Sequence, residues 1–364
     1  MATIPETYRA VRRSAGTPSL ENPLRLEFST EKTLPEGGLR SNEVLIKVHA
    51  VSLNYRDVSM LHGNYPSPVT PRGILASDCG AEVVAVGDSV TKFKVGDHVS
   101  PTFDLGNLTG EIGPEGHIAV GGDVDGVLRE YAIFEDKYLV HLPKHLSWEE
   151  ASTLSCAGIT AWNALNAPHS FHKKKTPQSL AHMNAGTGGV SLQALLIALA
   201  GGITPIITSS SDEKLNNLRE KLGRPDLLGF NYRTHPDQAA EVKRLTGGRG
   251  VDIVVNNAGP VSFLADIDSL VQSGGTISIV GYLGGFQADW NPGELFKLVA
   301  KHAKLQGVLV GSRDDFEAMN KLFEEKRVSL LPLVDDKVFD FDESQAAFDY
   351  LWSGKHVGKV VIRV

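Results

Sequence analysis

Two cysteines in 364 residues, Cys79 and Cys156, are too few for a disulfide framework, and a reducing compartment fits that usage. The longest mainly apolar run, Leu192 to Ala200, is far too short to cross a bilayer. The first residues, MATIPETYRAVRR, lack the apolar stretch of a secretory signal, so the cytosol is the expected compartment. No basic cluster exceeds Lys173-Lys174-Lys175, and the net charge is -7. General binding to nucleic acid or to an anionic membrane is therefore not expected.

Glycine is what the chain has in plenty: 37 residues, implying many tight turns and close backbone approaches. The length gives room for two domains with cores of their own. In the first part short strands alternate with turn signals. Glu43 to Ser52 alternates apolar and polar residues, Glu82 to Val86 is β-branched, and Val95 to Val99 and Leu128 to Phe134 follow. Such spacing predicts an antiparallel, barrel-like domain. Between them, Phe103 to Gly126 carries seven glycines and few large apolar residues, which predicts a long surface excursion.

After Trp148 the period changes. Glu149 to Leu165 has helical spacing. Strands and helices then alternate through Ser179–Met183, Val190–Ala200, Ile203–Thr208, Asp212–Leu222, Ala239–Leu245, Val251–Val255, Leu264–Val271, Thr276–Val280, Pro292–Lys301 and Leu305–Val310. This predicts an α/β, doubly wound parallel sheet. Asp314 to Arg327 reads as a helix and Lys359 to Val364 as a closing strand. The parallel-sheet part thus sits inside the chain, with flanks that complete one another.

Ala185 to Ser191 reads AGTGGVS between an apolar strand and an apolar helix. A pyrophosphate-binding turn needs glycine where the backbone approaches the phosphates, and a helix N-terminus to donate N–H groups. Gly186 and Gly188 fill the first two positions of G-x-G-x-x-G; Ser191 takes the third. About 20 residues on, an NAD enzyme places an acid to bind the ribose 2′-hydroxyl. Here the second strand ends in Ser209-Ser210-Ser211, with Lys214 close by and Asp212 too late. Hydroxyls and an ammonium suit a 2′-phosphate, which predicts NADPH; Ser211 would also cap the next helix.

Val255 to Gly259 spells VNNAG, a string of short-chain dehydrogenases. That family needs a Tyr-x-x-x-Lys pair, whose lysine lowers the tyrosine pKa. No tyrosine here has a lysine four residues later, so this reading is rejected.

The chain resembles the medium-chain dehydrogenase/reductase superfamily, and within it the zinc-independent quinone oxidoreductase-like branch. Nearly the whole chain takes part, through Leu53 to Asp57, Ala76-Ser77-Asp78, Glu82 to Gly87, Phe93 to Val99, Gly158 to Trp162, Gly186 to Ser191, Ser209 to Lys214, Asn231-Tyr232-Arg233, Gly247 to Asp252, Gly274 to Thr276 and Gly358 to Val361. The resemblance implies a GroES-like β-barrel-like domain over residues 1–159, completed by 312–364, and a Rossmann domain over 160–311. Zinc-dependent members hold their catalytic metal at positions that correspond to Asn54, Ser77 with Asp78, and Cys156. Of these only Cys156 is a customary ligand as it stands, and a catalytic zinc needs about three protein ligands. No metal is expected.

By the same resemblance Asn54, Tyr55 and Tyr65 are the candidates near the reacting carbonyl. Thr160, Gly186, Gly188, Gly189, Val190, Ser209, Ser210, Lys214, Tyr232, Asn257, Gly281, Tyr282, Leu283, Val308, Val310, Ser312 and Lys359 are the cofactor contacts. His182 reads as a satisfied core histidine. Such proteins typically pass hydride from NADPH to an activated C=C bond or a quinone of a small-molecule substrate. A metal-free carbonyl reductase or alcohol dehydrogenase, and a low-turnover NADPH-binding protein, stay open as alternatives. The apolar edge strand Leu305–Val310 predicts a homodimer with a sheet continuous across the two-fold axis. Light scattering should return twice the chain mass, and a monomer would remove that expectation.

Overall fold

The computed structural model describes residues 4–167, 179–184 and 186–364. The lysine run at 173–175 and Ala185 lie outside them. The chain divides into two units, Met1–Ile159 with Gly311–Val364, and Thr160–Val310.

In the first unit β1 (Thr7–Arg13) and β2 (Leu26–Lys32) form an antiparallel pair. A larger sheet runs in the order β14 (Val334–Asp340), β15 (Lys359–Arg363), β3 (Glu43–Ser52), β4 (Asp78–Val86), β5 (His98–Pro101) and β7 (Leu139–His141). A further strand, β6 (Tyr131–Glu135), pairs with β3. Val44, Ile46 and Val48 of β3 share a buried core with Ala81, Val83, Val99, Leu139, Phe348, Val360 and Ile362. The strand of the C-terminal segment is therefore built into the sheet of the N-terminal segment, and neither flank closes that core alone.

Strand register fixes what meets at one edge. β15 is antiparallel to β3 with Val361 opposite Ser52 and Ile362 opposite Val51, and Leu53 N–H donates to Val360 C=O at 2.9 Å. Continued by two residues, that register brings Lys359 opposite Asn54. On the other side of β3, Ser52 faces Asp78, the first residue of β4.

The excursion from Phe103 to Gly126 is irregular, as its composition predicts, and polar side chains pin it. Asp104 accepts hydrogen bonds from the N–H groups of Gly106 and Ile118, both at 2.9 Å, and lies 2.5 Å from His117 Nδ1. The buried Arg13 donates to Gly121 C=O, and the buried Arg56 to Val120 C=O. Glycine is demanded where the loop runs against residues 75 and 76: a Cβ on Gly126 would sit inside the carbonyls of Leu75 and Ala76.

Among the described residues of the second unit six strands are all parallel: β8 (Leu180–Asn184), β9 (Thr204–Ser209), β10 (Leu228–Asn231), β11 (Ile253–Asn256), β12 (Thr276–Ile279) and β13 (Lys304–Gly307). Their order is β10-β9-β8-β11-β12-β13. This is the Rossmann order, whose direction reverses between β8 and β11. Ile206, Val254, Ile267 and Ile277 anchor its core.

Several expectations need correction. The helical stretch from Glu149 is three pieces, with a π-turn at Leu154–Gly158 between two short α-helices. The last edge strand stops at Gly307, and Val310 lies in the left-handed region at φ 52°, so Val308 and Val310 lie beyond it. The segment at Pro292 opens as a 3₁₀ turn before the helix Lys297–Ala300. The pair β1 and β2 and the helices Tyr55–Leu61 and Ser344–Trp352 have no counterpart in the sequence reading.

Candidate active site and cofactor turn

In the first unit four chain segments bring a polar cluster together. Asn54 caps the helix Tyr55–Leu61, and its N–H donates to the Asp57 carboxylate at 2.8 Å. Lys359, buried at the start of β15, donates from Nζ to Asn54 Oδ1 at 2.5 Å and stands 3.5 Å from Asp78 Oδ2. Ser77 Oγ donates to Asp78 Oδ1 at 2.6 Å, and Cys156 N–H, from the π-turn, to Asp78 Oδ2 at 3.3 Å. Asn54 Nδ2 is buried with no hydrogen-bond partner among the described residues. Burial pushes the Asp57 carboxyl up in pKa, and the Arg56 guanidinium beside it holds it back.

The structure thus joins Asn54, Ser77, Asp78 and Cys156, and adds Lys359, expected instead at the cofactor. Tyr55 is 39% exposed and its ring stacks on Trp352 with centroids 6.3 Å apart. Tyr65 has the Arg56 guanidinium 5.5 Å from its ring centroid. Ser312 belongs to this unit as the N-cap of the helix Arg313–Lys326, its Oγ accepting from Asp315 N–H.

In the second unit the glycine turn joins β8 to the helix Gly189–Ala200, with Gly188 as N-cap. Gly186 holds φ 100°, which a side chain rarely adopts, and a Cβ on Gly188 would meet no atom within 4 Å. Open space at a helix N-terminus is what a pyrophosphate requires. Ser209 ends β9 and accepts through its carbonyl from Tyr232 N–H at 3.0 Å. Ser211 Oγ accepts from Lys214 N–H, the expected cap, and the Asp212 carboxylate accepts from Asn231 Nδ2. The acid nearest the strand tip is therefore engaged elsewhere. Thr160 is buried; Gly281 packs against Asn257, and Tyr282 stacks on Phe286 beside the exposed Leu283.

Polar residues that look out of place in the sequence here form one network. Asn257 Nδ2 donates to Ser191 Oγ at 3.1 Å and to Asn184 C=O, so the serine in the third glycine position gives that amide a partner. Asn184 Nδ2 and Asn256 Nδ2 donate to opposite oxygens of the buried Asp266, and Ser262 Oγ donates as well. Asp266 was missed by the sequence reading: its helix, FLADIDS, gives no sign which acid turns inward. His182 is indeed core, yet neither ring nitrogen has a partner among the described residues, which corrects the expectation of a satisfied histidine.

The comparisons with known proteins agree with this architecture. Residues 40–144 match the alcohol dehydrogenase GroES-like domain, and residues 189–325 match the zinc-binding dehydrogenase domain. A zinc-type alcohol dehydrogenase-like protein of Schizosaccharomyces pombe is 37% identical over 90% of this chain and 92% of its own. A crystal structure from Sinorhizobium meliloti 1021, of a protein assigned as an alcohol dehydrogenase, superposes over all of both chains with a TM-score of 0.84 and 31% identity. The 2-octenoyl-CoA carboxylase reductase CinF, in complex with NADP and 2-octenoyl-CoA, covers 100% of this chain and 88% of its own, with a TM-score of 0.80 and 25% identity. Fold and site together define a two-unit oxidoreductase. The chain belongs to the medium-chain dehydrogenase/reductase superfamily.

The relatives raise the question of zinc, and the residues present do not fit it. The corresponding positions offer an amide, a hydroxyl, a carboxylate and a thiol. The Lys359 ammonium already stands against Asn54 and Asp78, where it would repel a dication. Among the described residues no group of three or more His, Cys, Asp or Glu side chains is placed to hold a metal.

Two buried titratable groups of the second unit, His182 and Asp266, pull stability in opposite directions. Burial lowers His182 from 6.5 to about 4, so as pH falls the unfolded chain takes the proton first and the fold loses about 3 kcal/mol. Burial raises Asp266 from 3.8 to about 6 against its three donors, so the fold binds that proton first and gains about 3 kcal/mol over a similar window. In His182→Leu the Asp266 contribution is unopposed. Between pH 7 and 4.5 urea unfolding should show the variant gaining about 2 kcal/mol relative to the unsubstituted protein. An unchanged difference would mean that His182 is not held neutral.

Proposed function

We propose that this chain is an NADPH-dependent reductase of activated C=C bonds or quinones that works without a metal. The observation that carries this reading is the cluster at Asn54. Where zinc-dependent relatives would place ligands, a protein ammonium and an amide stand 2.5 Å apart. Zinc would stabilise an alkoxide; an amide donor suits the more diffuse charge of an enolate.

The second unit's residues fit the nucleotide. The turn at Gly186 and Gly188 admits the pyrophosphate, and a strand tip of serines with Lys214, its nearest acid engaged by Asn231, admits the 2′-phosphate. The NADP complex of CinF, whose acyl ligand is an enoyl thioester, supports both halves of the reading. When bound, NADPH supplies a hydride to the β-carbon of the acceptor; the double-bond electrons move onto the carbonyl oxygen, and a proton then closes the α-carbon. Asn54 donates to that oxygen as its charge develops. Tyr55 and Tyr65 line the substrate's surroundings.

Consumption of NADPH and NADH against enones, enals, quinones and ketones, with a chelator throughout, tests this. Conjugated acceptors should turn over with NADPH preferred, and Lys214→Ala should raise the NADPH KM about tenfold while leaving NADH unchanged. Preference for NADH, or activity abolished by the chelator, would sink the reading.

A further inference from the structure

The contact between Lys359 and Asn54 settles which way the Asn54 amide faces. An ammonium has three donors and no acceptor, so only the amide oxygen can turn toward it. The observed pair is Nζ to Oδ1 at 2.5 Å. The ammonium is held in place in turn: Asp78 lies 3.5 Å away, and its carboxylate is fixed by Ser77 Oγ and Cys156 N–H. The Asn54 backbone is fixed by Asp57. With both ends held, the amide presents Nδ2 outward from the ammonium, and that donor is buried without a partner among the described residues. A buried donor left unmade costs more than a made bond gains, so the arrangement is one that a ligand oxygen completes.

We infer that Lys359 is a positioning residue: its ammonium locks the Asn54 amide so that Nδ2 is kept as the donor for the oxyanion of the reduced carbonyl. The inference rests on the functional reading above. Lys359 does more than orient. Donation into Oδ1 draws electron density from the amide and makes its N–H groups stronger donors, a cooperative effect suited to a low-dielectric site. The role differs from that of a cofactor contact, which the sequence assigns to this lysine. It also explains a buried lysine at a strand end 305 residues from its partner.

A double-mutant cycle separates the possibilities. Lys359→Met and Asn54→Ala should each lower kcat about a hundredfold, as loss of an oxyanion donor does, with NADPH binding by fluorescence changed less than about threefold. Because Lys359 acts through Asn54, the double variant should be no slower than either single one. Losses that multiply, or a tenfold weaker NADPH affinity with kcat retained, would overturn the inference. Lys359→Met with Asp78→Asn leaves no uncompensated buried charge and serves if the single variant fails to fold. Should no acceptor turn over in the unsubstituted protein, the functional reading fails, and positioning is judged separately. In protein labelled with ¹⁵N-asparagine, the side-chain NH₂ pair that vanishes in Asn54→Ala should shift in Lys359→Met/Asp78→Asn. An unmoved pair would refute the lock.

Discussion

A buried ammonium must be surrounded by oxygen, and in the first unit that requirement organises everything near the candidate site. An unpaired charge taken out of water costs several kcal/mol, so Lys359 needs the carboxylate of Asp78 and the amide oxygen of Asn54 together. Those partners come from β4 and from the residues just beyond β3, while the lysine opens β15. The three strands are neighbours in one sheet, and their register is enforced by the shared core of Val44, Ile46, Val83, Val360 and Ile362. A slip of one residue would turn Lys359 to the opposite face and leave the Asp78 carboxylate without it. Hydrophobic packing thus holds the polar cluster in place.

The second unit solves an analogous problem with the opposite sign. Asp266 is a buried carboxylate held by two amides and a hydroxyl, with no cation among those donors. Those amides sit at the ends of β8 and β11, where the strand order reverses and where a nucleotide binds in this fold. The carboxylate therefore ties together the two strand ends that shape the cofactor turn. His182 sits in the middle of β8 with no such support, a cost the unit carries in its core.

Much of this was legible in the sequence where local chemistry decides. The helix Asp212–Leu222 is found residue for residue, because Ser211 caps it, acids fill its first turn and Gly223 ends it in the left-handed region. The glycine turn and the alternation of strands and helices are equally local, and so is the irregular, glycine-rich excursion. Long-range contacts were not legible. Asn184, Ser191, Asn256 and Asn257 each look like a departure from pattern in one dimension, and only in space do they satisfy one another with Asp266. Lys359 reads as a cofactor contact until strand register sets it opposite Asn54. The helix after Asn54 is hidden because its buried Arg56 and Asp57 break the apolar period that marks a helix. Ser312 also begins the pattern of a capping box with Asp315, a local signal the sequence carries.

The most direct measurement is zinc content by inductively coupled plasma mass spectrometry, after incubation with excess zinc and exhaustive dialysis. A cluster built around an ammonium should retain no stoichiometric metal, and turnover should be the same before and after the treatment. One tightly held zinc per chain would contradict the reading of this cluster as metal-free.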